Sequence, residues 1–184
     1  ITFNGEIFNY LELRDELVAR GHQFRTRGDT EVIVHAYEEW GTGAFRRLNG
    51  QWAVGLWDAE RAELVLARDP FGVRPIYVAE HAGKLLFASE VKALFAAEPS
   101  LDRRFDAWGL DQLFTFWAPV APQTVFEGIE EVEPGAVRVY SATGLRRDRS
   151  YDPAFPSGTL GEFAGTLDRA RDVARRVEQR VFVG

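Results

Sequence analysis

The chain has 184 residues, 46% of them hydrophobic, with 28 acidic against 22 basic side chains and a net charge of −6. That length suits one domain plus an appendage, the apolar content excludes a disordered chain, and the acidic balance argues against a nucleic-acid partner. With no cysteine there are no disulfides or thiolate–metal sites, so a cytoplasmic location is the default expectation. No apolar run approaches the roughly 18 residues that span a bilayer, and no signal-peptide pattern opens the chain.

The predicted elements begin with a buried strand that ends at Asn4. Asn9 fits a helix N-cap with Glu12 closing a capping box, and Phe8 is placed to staple onto Leu13. Tyr10, Leu13 and Leu17 share one helical face, which Gly21 ends. His22 to Thr26 is a short strand candidate. A second helix follows Thr30, carrying Ile33, Ala36, Tyr37 and Trp40 at i, i+3, i+4 and i+7, and Gly41 stops it.

From Gln51 the pattern turns to strands. Trp52 to Trp57 is apolar on both faces and should be buried on both, Asp58 to Arg61 turns the chain, and Glu63 to Ala67 returns it. Pro75–Glu80 and Lys84–Ala88 form a hairpin around Ala82-Gly83, after which Ser89 caps a short helix. Short connections require antiparallel pairing. A helix over 106–117, a Pro-rich crossing and two more strand candidates follow. Pro153 to Gly158 reads as a linker. Beyond it, Leu160, Phe163, Leu167, Ala170, Ala174, Val177 and Val181 make a heptad-like seam on a helix. Periodicity alone supports an α+β fold.

The residue types that point to chemistry are few. Asn4 and Gly5 end a strand with a side-chain amide and an unobstructed backbone N–H, the donors an oxyanion hole needs; a tight turn is the competing reading. Asp29 stands at a helix start, where the dipole keeps a carboxylate ionised. It can serve as a cap or receive a substrate ammonium. Arg68-Asp69-Pro70-Phe71-Gly72-Val73-Arg74-Pro75 mixes charges with turn formers and reads as a structural tie. Ser89 and Lys92 form no oriented nucleophile–base pair. His22, His35 and His81 are scattered in sequence, and no metal site is expected from them.

FNGEIFNYLELRDEL, GDTEVIVHAYEEWG, RDPFGVRPIY, FASEVKAL and PQTVFEGIEEVEPG occur in that order. Together they resemble the glutamine-hydrolysing domain of asparagine synthetase, a class II amidotransferase with an N-terminal nucleophile. The resemblance covers residues 1 to about 156. It implies a four-layer αββα sandwich, glutamine as substrate, and a glutaminase that supplies ammonia for amidation of aspartate.

It also implies Asn4 and Gly5 as the oxyanion donors, Gly5, Glu6 and Asp29 as substrate contacts, and Asp29 as the receiver of the α-amino group. A buried salt bridge is the alternative for Glu6. The family's nucleophile is an N-terminal cysteine, which this chain lacks. With Ile1 starting inside a strand and no methionine present, the sequence is expected to be an internal piece that is inactive alone. Residues 157–184 would then open an ATP- and Mg²⁺-dependent synthetase domain, and a homodimer is the family's common assembly. The alternatives are a relative amidating another carboxylate, or a non-catalytic ligand-binding or scaffold domain.

Overall fold

A computed structural model describes residues 1–149. The expected linker, the heptad-like helix and the domain boundary at 156 lie outside these residues. Among the described residues there are two antiparallel sheets. The larger has five strands in the order β1 (Thr2–Ile7), β2 (Gly50–Asp58), β3 (Glu63–Arg68), β7 (Ala136–Ser141) and β8 (Gly144–Arg149). The smaller places β4 (Tyr77–His81) between β5 (Lys84–Ala88) and β6 (Ile129–Glu131). Four α-helices accompany them among the described residues: α1 (Tyr10–Ala19), α2 (Asp29–Trp40), α3 (Val91–Ala97) and α4 (Ala107–Phe116).

Strand periodicity sorts the side chains into three apolar layers, because alternate residues point to opposite faces. Trp52, Val54 and Leu56 of β2, Val65 and Ala67 of β3, and Val137 and Val139 of β7 pack against Leu13 and Leu17 of α1 and Val32, Ile33 and Ala36 of α2. The opposite residues, Ala53, Leu66 and Ala136, meet Ile76, Val78, Leu85 and Phe87 between the sheets. On the far face of the smaller sheet, Ala79, Leu86 and Ile129 pack with Leu94 of α3. The order is helix, sheet, sheet, helix, as the resemblance implies. Small residues on β2 allow the close approach: a Cβ on Gly55 would stand 2.5 Å from the Phe87 ring.

Several local expectations are corrected. Asn9 does precede α1, yet it makes no cap hydrogen bond. Its amide donates to the Arg47 carbonyl at 2.9 Å and accepts the Asn49 N–H at 2.8 Å, joining the start of α1 to the approach to β2. Residues 22–26 are not a strand. The Glu31 carboxylate takes the N–H groups of Arg25 and Thr26, and Arg14 donates to the Thr26 carbonyl, so side chains satisfy what a neighbouring strand would have satisfied. Trp57 is 59% exposed, because the second sheet does not extend over the end of β2. Ser89 does not cap α3, whose preceding residue is Glu90 and which has no side-chain cap. Asp106 does cap α4, accepting the Gly109 N–H at 2.7 Å. That helix turns Phe114 outward, 83% exposed, and Trp117, the residue that follows it, is 90% exposed.

The 68–74 segment is the tie between sheets. Asp69 is fully buried and its carboxylate accepts four backbone N–H groups, those of Trp52, Phe71, Val73 and Arg74, at 3.0–3.2 Å. The buried Arg68 guanidinium donates to the carbonyls of Gly72, Arg74 and Val132 and pairs with Glu131 at 2.9 Å. Its structural reading holds. Removing the carboxylate strands several buried donors, each worth about 1–3 kcal/mol. Asp69→Ala should therefore lower unfolding free energy in urea by more than ~3 kcal/mol. Val73→Ala, at a half-exposed neighbouring side chain, should change it by less than ~0.5 kcal/mol.

Candidate active site

The strand β1 lies at an edge of the five-stranded sheet and carries two different faces. Phe3, Gly5 and Ile7 turn toward the helices, with Ile7 fully buried there. Thr2, Asn4 and Glu6 occupy the opposite face and are exposed. Asn4 is paired with Ala53 and Gly5 with Trp52 across the ladder. The exposed position of Glu6 sets aside the buried salt bridge considered from sequence.

Gly5 has φ +146°, a conformation that side chains rarely adopt, and a Cβ built there would stand 2.0 Å from the Gln51 carbonyl oxygen. Both the dihedral and the contact demand glycine. The tight-turn reading of Asn4-Gly5 fails, since both residues sit inside a strand.

Asn4 faces the seam between the two sheets. Its Nδ2 donates to Ser89 Oγ at 3.1 Å, across 85 residues of sequence. A carboxamide nitrogen has two N–H groups, so this bond orients the amide and leaves a second donor. Asn4 and Ser89, with Thr2, Ala53, Ile76 and Phe87, line an open cavity of about 100 Å³. Its polar lining comes from β1 and from the residue after β5, and the rest of the lining is apolar.

Asp29, the first residue of α2, reaches the far end of the same strand. Its Oδ2 accepts the Ile7 N–H at 3.1 Å. The helix start favours a carboxylate there, and Oδ1 has no hydrogen-bond partner among the described residues. Three residues of strand, about 10 Å, separate Asn4 from the residue that Asp29 holds. Asn4, Gly5, Glu6 and Asp29 are thus gathered along one edge strand.

Residues 1–152 match the model of the family described as a glutamine amidotransferase domain. The chain belongs to this family. Among named relatives, asparagine synthetase (glutamine-hydrolysing) 3 of Bacillus subtilis strain 168 is 41% identical over 146 residues, 79% of this chain and 24% of that protein. A putative asparagine synthetase (glutamine-hydrolysing) of Mycobacterium tuberculosis H37Rv is 41% identical over 138 residues, 73% of this chain and 21% of that protein. The chain thus spans about a quarter of the length of these relatives.

The solved structure of glutamine phosphoribosylpyrophosphate amidotransferase from Bacillus subtilis, complexed with ADP and GMP, superposes with a TM-score of 0.57 at 22% identity. It covers 83% of this chain and 29% of that one. The likeness concerns the fold alone: this chain shares the layered arrangement of helices and sheets with part of that enzyme.

Sequence reading missed the part played by Ser89. The motif FASEVKAL drew attention to it, but only the stacking of sheet on sheet brings Ser89 to Asn4. For the amidotransferase domain, Gly5→Ala should reduce stability by at least ~2 kcal/mol, through a disfavoured dihedral and a steric clash. Urea unfolding measures this; a variant as stable as the parent would show that β1 does not hold this backbone.

Proposed function

We propose that this domain is the glutaminase part of a glutamine-dependent asparagine synthetase, with Asn4, Gly5 and Asp29 forming its substrate site. The observation that carries the reading is the Asn4 carboxamide, fixed by Ser89 in the wall of the inter-sheet cavity with one N–H left to give. Attack on the glutamine side-chain amide puts negative charge on its oxygen, and the Asn4 Nδ2–H and Gly5 N–H are the donors assigned to it. Such donors act because they are aimed before the charge develops.

At 100 Å³ the cavity is smaller than a typical ligand pocket of about 300–1,000 Å³. It suits an amide head, with the remainder of glutamine lying along β1 toward Asp29. There Oδ1 receives the α-ammonium while Oδ2 keeps its bond to Ile7. Glu6, on the same face as Asn4, is assigned a contact with the polar part of the substrate. Ser89 is a positioning residue that acts through Asn4.

The attacking thiolate is not supplied by these 184 residues, which contain no cysteine; the resemblance assigns it to an N-terminal cysteine. The released ammonia would serve a second domain that activates aspartate with ATP and Mg²⁺, opened by residues 157–184 after a glutaminase domain ending near 156. Two supports for this are the names of the relatives and the quarter of their length that this chain spans. A cytoplasmic homodimer completes the reading. None of the described helices is long and apolar enough to cross a membrane.

The 184-residue chain alone should release no glutamate from glutamine. In the full enzyme, Asn4→Ala should slow glutamine hydrolysis by roughly 10²-fold while ammonia-dependent synthesis persists. Unchanged glutaminase turnover would remove Asn4 from the site. Asp29→Asn should raise the glutamine KM strongly and spare the ammonia-dependent reaction; loss of both activities would mean that Asp29 serves folding only.

A further inference from the structure

The packing of α1 against α2 brings together groups that lie 13 residues apart in sequence and have no part in the glutamine site. His22 Nδ1 and His35 Nδ1 stand 3.2 Å from each other. Glu38 Oε2 is 2.7 Å from His35 Nδ1 and 3.6 Å from His22 Nδ1. All three ligand atoms lie within 4.8 Å of one another. A tetrahedral ion with ligands at 2.0–2.1 Å requires neighbouring ligand atoms about 3.3 Å apart, and the three separations bracket that value.

The outer nitrogens add a second observation. His22 Nε2 lies 3.2 Å from Glu39 Oε2, and His35 Nε2 lies 3.7 Å from Glu31 Oε1. Glu39 thus stands within hydrogen-bond reach behind His22, the arrangement that fixes the tautomer of a metal-ligating histidine, while Glu31 is a longer-range charge behind His35. Without an ion, a proton on His35 Nδ1 bridges to Glu38 Oε2 at 2.7 Å; a cation would replace that proton and take the two Nδ1 lone pairs and the carboxylate oxygen as ligands.

The scaffold is also held in place. The His22 N–H donates to the Leu17 carbonyl at the end of α1. Phe24 packs edge-on against the His35 ring at 4.5 Å. Glu31 is anchored by the N–H groups of Arg25 and Thr26 and by the Thr26 hydroxyl, and its carboxyl is held at about 2 by those bonds, that to Arg25 foremost. Arg20 pairs with Glu39 at 2.9 Å and fixes that carboxylate in turn. Both imidazole rings are largely covered while Glu38 is half exposed, so an entering ion has a path and a position for water.

We propose that His22, His35 and Glu38 bind one divalent transition-metal ion of the zinc class, with Glu39 as an outer partner and Glu31 as a nearby charge. Two imidazoles and one carboxylate suit Zn²⁺ better than the oxygen-seeking Mg²⁺ or Ca²⁺. The ion would clamp the 22–26 loop onto α2, the helix whose first residue is Asp29. The site is independent of the glutaminase reading, since it shares no residue with it and is tested by binding alone.

The test is calorimetric titration of the tag-free, chelator-treated 184-residue chain with Zn²⁺, repeated with Co²⁺ followed by visible absorption. One equivalent should bind, and Co²⁺ should give the intense bands of a four-coordinate site. His22→Ala, a loop substitution outside the core, should weaken binding at least 10-fold with the far-ultraviolet spectrum intact. Glu39→Gln should weaken it about 10- to 100-fold, as outer partners do. The absence of binding at 1:1 stoichiometry, or binding that His22→Ala and Glu39→Gln both leave unchanged, overturns the proposal. So does a site that prefers Mg²⁺.

Discussion

A buried carboxylate with four backbone donors holds this architecture at its narrowest point. Asp69 leaves the end of β3 and accepts N–H groups from β2 and from the loop that carries the chain into the second sheet. Its neighbour Arg68 reaches across to the Val132 carbonyl and to Glu131 of β6. Arg138 of β7 makes a second crossing, pairing with Glu130 of β6 and with Glu133 at 2.7 Å each. Buried charge is costly unless paired and hydrogen-bonded, and both arginines are. Apolar contact between sheets is non-directional, whereas these bonds admit one relative placement. The meeting of Asn4 on one sheet with Ser89 after a strand of the other depends on that placement.

Much of the fold was legible because it is local. The apolar spacing of Ile33, Ala36 and Tyr37 marks α2, and all three are buried. Ala82-Gly83 marks the β4–β5 hairpin, and both residues take positive φ. The misreadings share a physical origin. Asn9, Thr26 and Ser89 are polar residues with several possible partners; for Asn9 and Ser89 a distant group won, and for Thr26 a side chain five residues on. Asn9 bonds to residues 47 and 49, Thr26 to Glu31, and Ser89 to Asn4. Local rules rank caps and strands by sequence neighbours, so tertiary competition is invisible to them.

The candidate site was legible in a different way. Asn4, Gly5 and Asp29 were picked out by motif resemblance, and the residues alone left a turn and a helix cap open for them. The structure adds the reason for each residue type. Gly5 is set by its dihedral and by the Gln51 carbonyl, and Asp29 by the Ile7 N–H that it accepts. The paired histidines were hidden for the opposite reason. Their spacing matches no metal motif, and their meeting follows only from helix α1 lying on helix α2.

The alternation along β1 has a consequence for how this segment can vary over time. Core residues and polar candidates interleave one by one from Thr2 to Ile7. Inserting or deleting a single residue there inverts every residue to one side of it, which drives either Asn4 beneath the helices or Ile7 out from under them. This stretch is therefore free to evolve by substitution at its exposed positions but locked in length, and its reading frame against β2 is inherited as a unit.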